Sequence, residues 1–257
     1  MKRLLCQSGV LCILAALTAC GGSKVLKEPN PLVATQPLAT ASDQTAFVTL
    51  DWVIVRDGPG TWARKADWDE YMLRVRNDSD QQVRVTRLIV VDSLGMPTES
   101  MAGRKQLAKS SKKTARRYKK SGIKVKAGSG RGTLGVAAAT AGGAAIAAAS
   151  ATGAGVMGGA GVAAAAGAVV VLAPVLAVGG VMRGVNQSKV NNQIESRQTE
   201  LPLKLAAGEE LALDMFFPIA PSPKTVELTY EDSAGEHRIV IDTSTVLDGL
   251  HTETSGE

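Results

Sequence analysis

The chain has 257 residues, three cysteines, two histidines and a formal charge of +5 at neutral pH. That length suits one or two domains, and the cysteines fit neither a disulfide framework nor a zinc site, with no CxxC and no Cys/His spacing. No GxSxG, HExxH, P-loop or dinucleotide fingerprint offers a catalytic centre or implies a cofactor or metal, so the composition points away from an enzyme.

In chain order, the first element is a targeting segment. Lys2 and Arg3 form a positive n-region, an apolar run begins at Leu4, and small residues precede Cys20, the layout of an export signal over residues 1–19. The apolar run is about fourteen residues, short for a membrane span of about 20. The quartet Leu17-Thr18-Ala19-Cys20 resembles the lipobox of bacterial lipoproteins. That resemblance implies cleavage before Cys20 and lipidation of Cys20, with a diacylglycerol on its thiol and usually a third acyl chain on its amine. Gly21 rather than Asp follows, which in enterobacterial lipoproteins directs sorting to the outer membrane, facing the periplasm. Cys6 and Cys12 would leave with the signal, as would two cations, so the remaining chain carries +3.

Residues 20–45 read as a flexible linker, polar and punctuated by Pro29, Pro31 and Pro37. From Ala46 the pattern has period two. Val48, Leu50, Trp52 and Ile54 mark one strand face; Tyr71, Leu73 and Val75 a second; Val83, Val85, Ile89 and Val91 a third, separated by DGPG and NDSD turns. The same pattern resumes with Leu201, Leu203 and Leu205, then Leu211, Leu213 and Met215, then Val226, Leu228 and Tyr230, then Ile239 and Ile241. The expected fold class is therefore mainly β, an antiparallel β-sandwich of about seven strands. Neither group has enough strands to close a two-layer core alone, so residues 46–97 and 200–245 are expected to be two halves of one domain.

Between them lies an insertion. A basic helix or loop over 98–131 is expected to start at Thr98, Glu99 and Ser100 and to gather cations toward its far end, favourably against the helix dipole. Twelve Lys or Arg and no acid lie between Arg104 and Arg131, which leaves the rest of the chain beyond the signal at −9. Met101, Leu107, Ala115 and Tyr118 form no broad apolar stripe, so its packing is poorly specified. The block reads as a solvated basic face or as a contact with anionic lipid through Lys112, Lys113, Arg116, Arg117, Lys119 and Lys120, worth about 1 kcal/mol per cation. Nucleic acid is disfavoured as a partner, because only Tyr118 could stack on a base.

Residues 132–182 contain no charge. Their 51 residues could hold two membrane spans of about 20 with a turn near 152–161, and an even number of crossings keeps both β halves on one side. Gly135, Gly143, Gly155, Gly159 and Gly167 belong to a small-residue ladder of period four that permits close helix packing and resembles the glycine-zipper hairpins of bacterial envelope proteins. A flexible Gly/Ala-rich loop is the alternative. Residues 183–199 read as a polar return segment and 246–257 as a polar tail. His237 sits beside a turn, His251 lies in that tail, and Asp67, Asp69 and Glu70 read as a solvated turn.

Two functions from different classes follow. One is a lipid-anchored structural or assembly component of the cell envelope, whose hairpin and basic block associate with a bilayer and whose small-residue faces offer a route to homo-oligomers. The other is a periplasmic binding module, an adaptor or inhibitor that uses the β surface with the insertion as an arm toward a protein partner not identified by sequence.

Overall fold

A computed structural model describes residues 24–29, 36–129 and 187–253. The protein is mainly β, and its sheets are antiparallel. The strands are β1 (Lys24–Val25), β2 (Ala39–Ser42), β3 (Ala46–Ile54), β4 (Ala63–Arg64), β5 (Trp68–Asn77), β6 (Val83–Val91), β7 (Pro97–Glu99), β8 (Leu203–Leu205), β9 (Glu210–Pro218), β10 (Thr225–Asp232) and β11 (Gly235–Asp242). Two helices, α1 (Arg104–Lys120) and α2 (Gln187–Arg197), stand between β7 and β8.

One sheet has the order β2-β3-β5-β9, the other β11-β10-β6-β7 with β8 also on β6, while β1 and β4 form a separate pair. Each larger sheet joins strands from both sides of the helices: β5 pairs with β9 from Trp68↔Pro218 to Arg76↔Glu210, and β6 pairs with both β8 and β10. Alternation along β5 decides what lies on each face. Tyr71, Leu73 and Val75 join Leu50, Trp52, Leu88, Phe217, Leu228 and Tyr230 in one buried cluster drawn from both sheets. Trp68 and Glu70 occupy the alternate positions, and with Trp62, Phe216, Leu107, Val190 and Ile194 they border a second core under α1 and α2.

Several expectations need correction. Residues 20–45 were expected to be free linker, yet Lys24 and Val25 pair with Arg64 and Ala63, and Ala39–Ser42 pairs with β3. Leu38, Ala39 and Ala41 pack on the main core and Val25 on the second, so a segment without periodicity gains order from a neighbouring edge. Pro97–Glu99 does not open the helix. It pairs with β6 from Val91↔Pro97 to Ile89↔Glu99, and Arg87 grips Glu99.

The helix starts at Arg104 behind Gly103, whose side supplies no cap. The missing cap comes from α2, where the Asn191 Oδ1 accepts from Arg104 N at 3.1 Å. The segment 183–199, read as a polar return, contains α2, which buries Val190 and Ile194 completely. After α2, Thr199 N donates to Asp214 O at 2.8 Å and Thr199 Oγ1 accepts from Asp214 N, continuing along the β9 edge.

The tail from 246 is also packed. Leu247 and Leu250 are fully buried in the main core. Val125 bridges Thr252, Glu253 N donates to Lys124 O, and His251 N donates to Ser129 O, so the chain leaving α1 is zipped to the C-terminal turn. Gly128 permits this approach: its φ is +71°, and a Cβ there would lie 2.1 Å from Arg56 O. The small-residue positions Gly135, Gly143, Gly155, Gly159 and Gly167, and Cys20, lie outside the described residues.

Candidate membrane-contact site

The basic helix is tied down by a narrow stripe. At about 100° per residue, Leu107, Ser111, Thr114 and Tyr118 fall within about 60° of arc, and all four are buried. Leu107 enters the second core. Ser111 Oγ donates to an acceptor, Asp67 O at 2.6 Å or Leu107 O at 2.9 Å, and accepts from Ile219 N at 3.0 Å. Tyr118 Oη lies 2.9 Å from Ser93 Oγ and 3.3 Å from Pro221 O, and accepts from Leu94 N. Sequence reading missed this stripe because half of it is polar. Ser and Thr carry no hydrophobic signal, and the docking of Ser111 depends on backbone groups 44 and 108 residues away.

The opposite arc is wholly cationic. Lys119, Lys112, Lys105, Arg116, Lys109, Lys120 and Lys113 take successive angular positions across about 120°, all exposed. Among the described residues none of these seven has an acidic partner within salt-bridge distance, and the helix itself has no acid to offset them. Arg117 departs from the expected set. It is half-buried, with Nη1 3.8 Å from Asp92 Oδ2 and Nη2 donating to Thr114 Oγ1. It thus fastens α1 to the end of β6 instead of presenting its charge outward. Beside the last turn, Ala115, Ile123 and Val125 line a groove rimmed by Arg116, Lys119 and Lys124.

Two buried ionic clusters replace part of what was read as a solvated turn; Asp67 stays partly exposed in a bend, paired with Arg56. Asp69 and Glu70 are each 1% exposed and point to opposite faces of β5. On the inner face, His251 is fully buried and lies 2.8 Å from Asp69 Oδ2 through Nε2. Its Nδ1 accepts from Gly128 N at 3.0 Å, so Nε2 must carry the proton that is shared with Asp69. Both ring nitrogens are thereby committed, and what the pair does is hold the α1 exit against the core.

On the outer face, Trp62 Nε1 donates to Glu70 Oε2 at 2.5 Å and Arg197 Nη2 lies 2.6 Å from Glu70 Oε1. The Arg197 guanidinium also sits over Trp62 at 5.2 Å. Asp214 lies close by, its Oδ2 3.6 Å from Arg197 Nε. Burial, reinforced by the charge of Glu70, pushes the Asp214 carboxyl well above the ordinary carboxylate range, partly countered by Arg197. One guanidinium then balances one carboxylate, and this cluster clamps the end of α2 to β5 and β9. Sequence gave Asp69 and Glu70 as neighbours but no sign of Arg197, 127 positions on.

Among the described residues no group of three or more His, Cys, Asp or Glu could hold a metal ion, and no helix is long and apolar enough to cross a membrane. Comparison with known proteins finds no matching family model, no matching curated protein and no matching solved structure.

Proposed function

We propose that the protein is a non-enzymatic lipoprotein of the bacterial cell envelope, a structural or assembly component held to a bilayer by acylated Cys20 and meeting anionic lipid through α1. In this reading the two sheets form a β-sandwich that carries α1 on one face, and residues 132–182 form a membrane-associated hairpin. The outer membrane, facing the periplasm, is the proposed location. The observation that carries the reading is the arc of seven exposed cations on a helix whose other face is anchored by Leu107, Ser111, Thr114 and Tyr118. One-sided docking is usual for a surface helix; what supports lipid contact is that the outward arc is all cationic, with no acid on the helix to offset it. Clustered cations near an acidic bilayer each contribute about 1 kcal/mol, over a range limited by the Debye length.

The test uses the chain from residue 20 onward with Cys20→Ser, which lacks both the export signal and the acyl anchor, floated with vesicles. Flotation should be stronger on phosphatidylglycerol than on phosphatidylcholine and should weaken as salt rises. Lys112→Gln with Lys113→Gln should lower affinity for the anionic vesicles by about 2 kcal/mol, roughly thirtyfold. Equal flotation on both lipids, indifferent to these substitutions, would remove the lipid role of α1. Absence of flotation on either lipid would favour the second reading, a periplasmic adaptor or inhibitor whose insertion recognises a protein.

A further inference from the structure

The groove beside the end of α1 is built from the two sides of one chain reversal. On the helix, Ala115 stands about 40° from Lys119, the first cation of the outward arc. Arg116 and Lys119 belong to that arc and line the groove as well, so apolar floor and free cations share one surface. Past the helix, Gly122 takes a φ of +77°, Gly122 N donates to Lys119 O at 3.1 Å, and Ile123 N donates to Tyr118 O at 3.0 Å. That turn brings Ile123 and Val125 beside Ala115, and all three are half-buried.

Both walls are fixed. Tyr118 is fully buried and holds the helix end, while Val125 bridges Thr252 and Lys126 N donates to His251 O at 2.9 Å. The groove encloses about 490 Å³, within the roughly 300–1,000 Å³ of small-ligand sites, and shares their apolar lining with a few polar groups. On its rim, Lys124 is balanced by Glu253 at 2.5 Å. Arg116 and Lys119 have no acidic partner among the described residues, so the rim keeps two uncompensated positive charges. An occupant that matches floor and rim joins a short apolar part to an anion.

We propose that the groove seats one acyl chain of an anionic phospholipid, with Arg116 and Lys119 on its phosphate. This rests on the lipid-contact reading of α1 and adds to it a site for an individual lipid molecule. Phosphate accepts charge-assisted hydrogen bonds from both side chains, and burial of methylenes adds to the attraction between charges. A second copy of the chain is a poorer match, because it would bring the same cations to the same rim. Fixed walls also lower the ordering cost of binding.

The experiment uses the chain from residue 20 onward with Cys20→Ser and single-chain lipids below their micelle concentration, which separates a site for one molecule from a bilayer surface. Titration calorimetry should show binding of hexanoyl and octanoyl lysophosphatidylglycerol, with affinity rising roughly fourfold per added methylene. Glycerophosphoglycerol, which has no chain, and octanoyl lysophosphatidylcholine, which has no net charge, should both bind more weakly than the octanoyl anionic lipid. Arg116→Gln with Lys119→Gln should weaken that lipid by about tenfold or more. Ala115→Leu, which fills the groove from the helix side, should remove the dependence on chain length. Affinity indifferent to chain length, or equal for the choline lipid, would overturn the lipid seat. Failure to bind any of these lipids, in a chain that still floats on phosphatidylglycerol vesicles, would overturn the seat alone. Failure to bind together with failure to float would overturn the lipid reading of α1 as well. Sedimentation as a dimer that Ala115→Leu disperses would overturn the seat in favour of a second copy.

Discussion

Arg197→Met should cost about 3–5 kcal/mol of folding stability, measured as a fall in the urea midpoint, because it leaves the Glu70 carboxylate buried without its counter-charge. The magnitude follows from burial: Glu70 is 1% exposed at its side chain and Arg197 13%. Trp62 would still donate one hydrogen bond to Glu70, too little to replace a guanidinium. Adding Glu70→Gln to Arg197→Met should recover much of the loss, since the penalty lies in the orphaned charge.

Asp214 supplies the pH signature of the same cluster. Its folded pKa is raised by burial and by Glu70, so the folded state keeps a proton that the unfolded chain has released. The stabilisation is complete below the ordinary carboxylate value of 3.8 and is lost as pH rises through the elevated folded value. Asp214→Asn should flatten that decline while changing little at low pH. An unaltered pH profile in Asp214→Asn would show that this carboxyl is not held protonated.

Replacing residues 98–199 with a Gly/Ser linker should destroy cooperative unfolding. The excision removes Leu107, Val190 and Ile194, all fully buried, each worth about 1.5–3 kcal/mol. Their sum approaches the 5–15 kcal/mol that holds a typical domain together. It also strips cover from Trp62, Trp68 and Phe216 and takes Arg197 away from Glu70. A 98–199 replacement that unfolds as sharply as the parent would show α1 and α2 to be appendages and not parts of the core.

Strands that alternate over eight or more residues were legible from sequence. β3, β5, β6, β9, β10 and β11 all overlap segments read from period two, although β5 begins earlier, at Trp68. The buried face of β6 switches at an irregularity opposite Thr229 and Tyr230, so that Leu88 and Val90 face the core in place of Ile89 and Val91. β1, β2, β4 and β7, of two to four residues, carry no usable period and exist because an edge was there to pair with. α2 escaped because a period of 3.6 shows only in Val190 and Ile194, amid Asn, Gln and Glu.

The cationic block was plain in composition, but its division was not. Seven cations face outward while Arg117 turns back to Asp92, a distinction set by helix phase against a docking stripe built half from Ser111 and Thr114. His251 is the sharpest case. Between Leu250 and a run of Thr, Glu and Ser it has the context of a tail, yet Leu247 and Leu250 draw it into the core beside Asp69. No local pattern announces a pair separated by 182 residues.

The central proposal is that contact with a bilayer extends beyond the acyl chains on Cys20. It is tested most directly by fractionating cells that express the chain with an ordinary cleavable signal and Cys20→Ser. The protein should remain with the membranes. Adding Val171→Asp within the proposed hairpin, at about 2.5–3.5 kcal/mol near a bilayer centre, together with Lys112→Gln and Lys113→Gln, should release it to the soluble fraction. A Cys20→Ser protein that is already soluble without those further substitutions would contradict the proposal, leaving the acyl chains as the sole membrane attachment and α1 free to serve a protein partner.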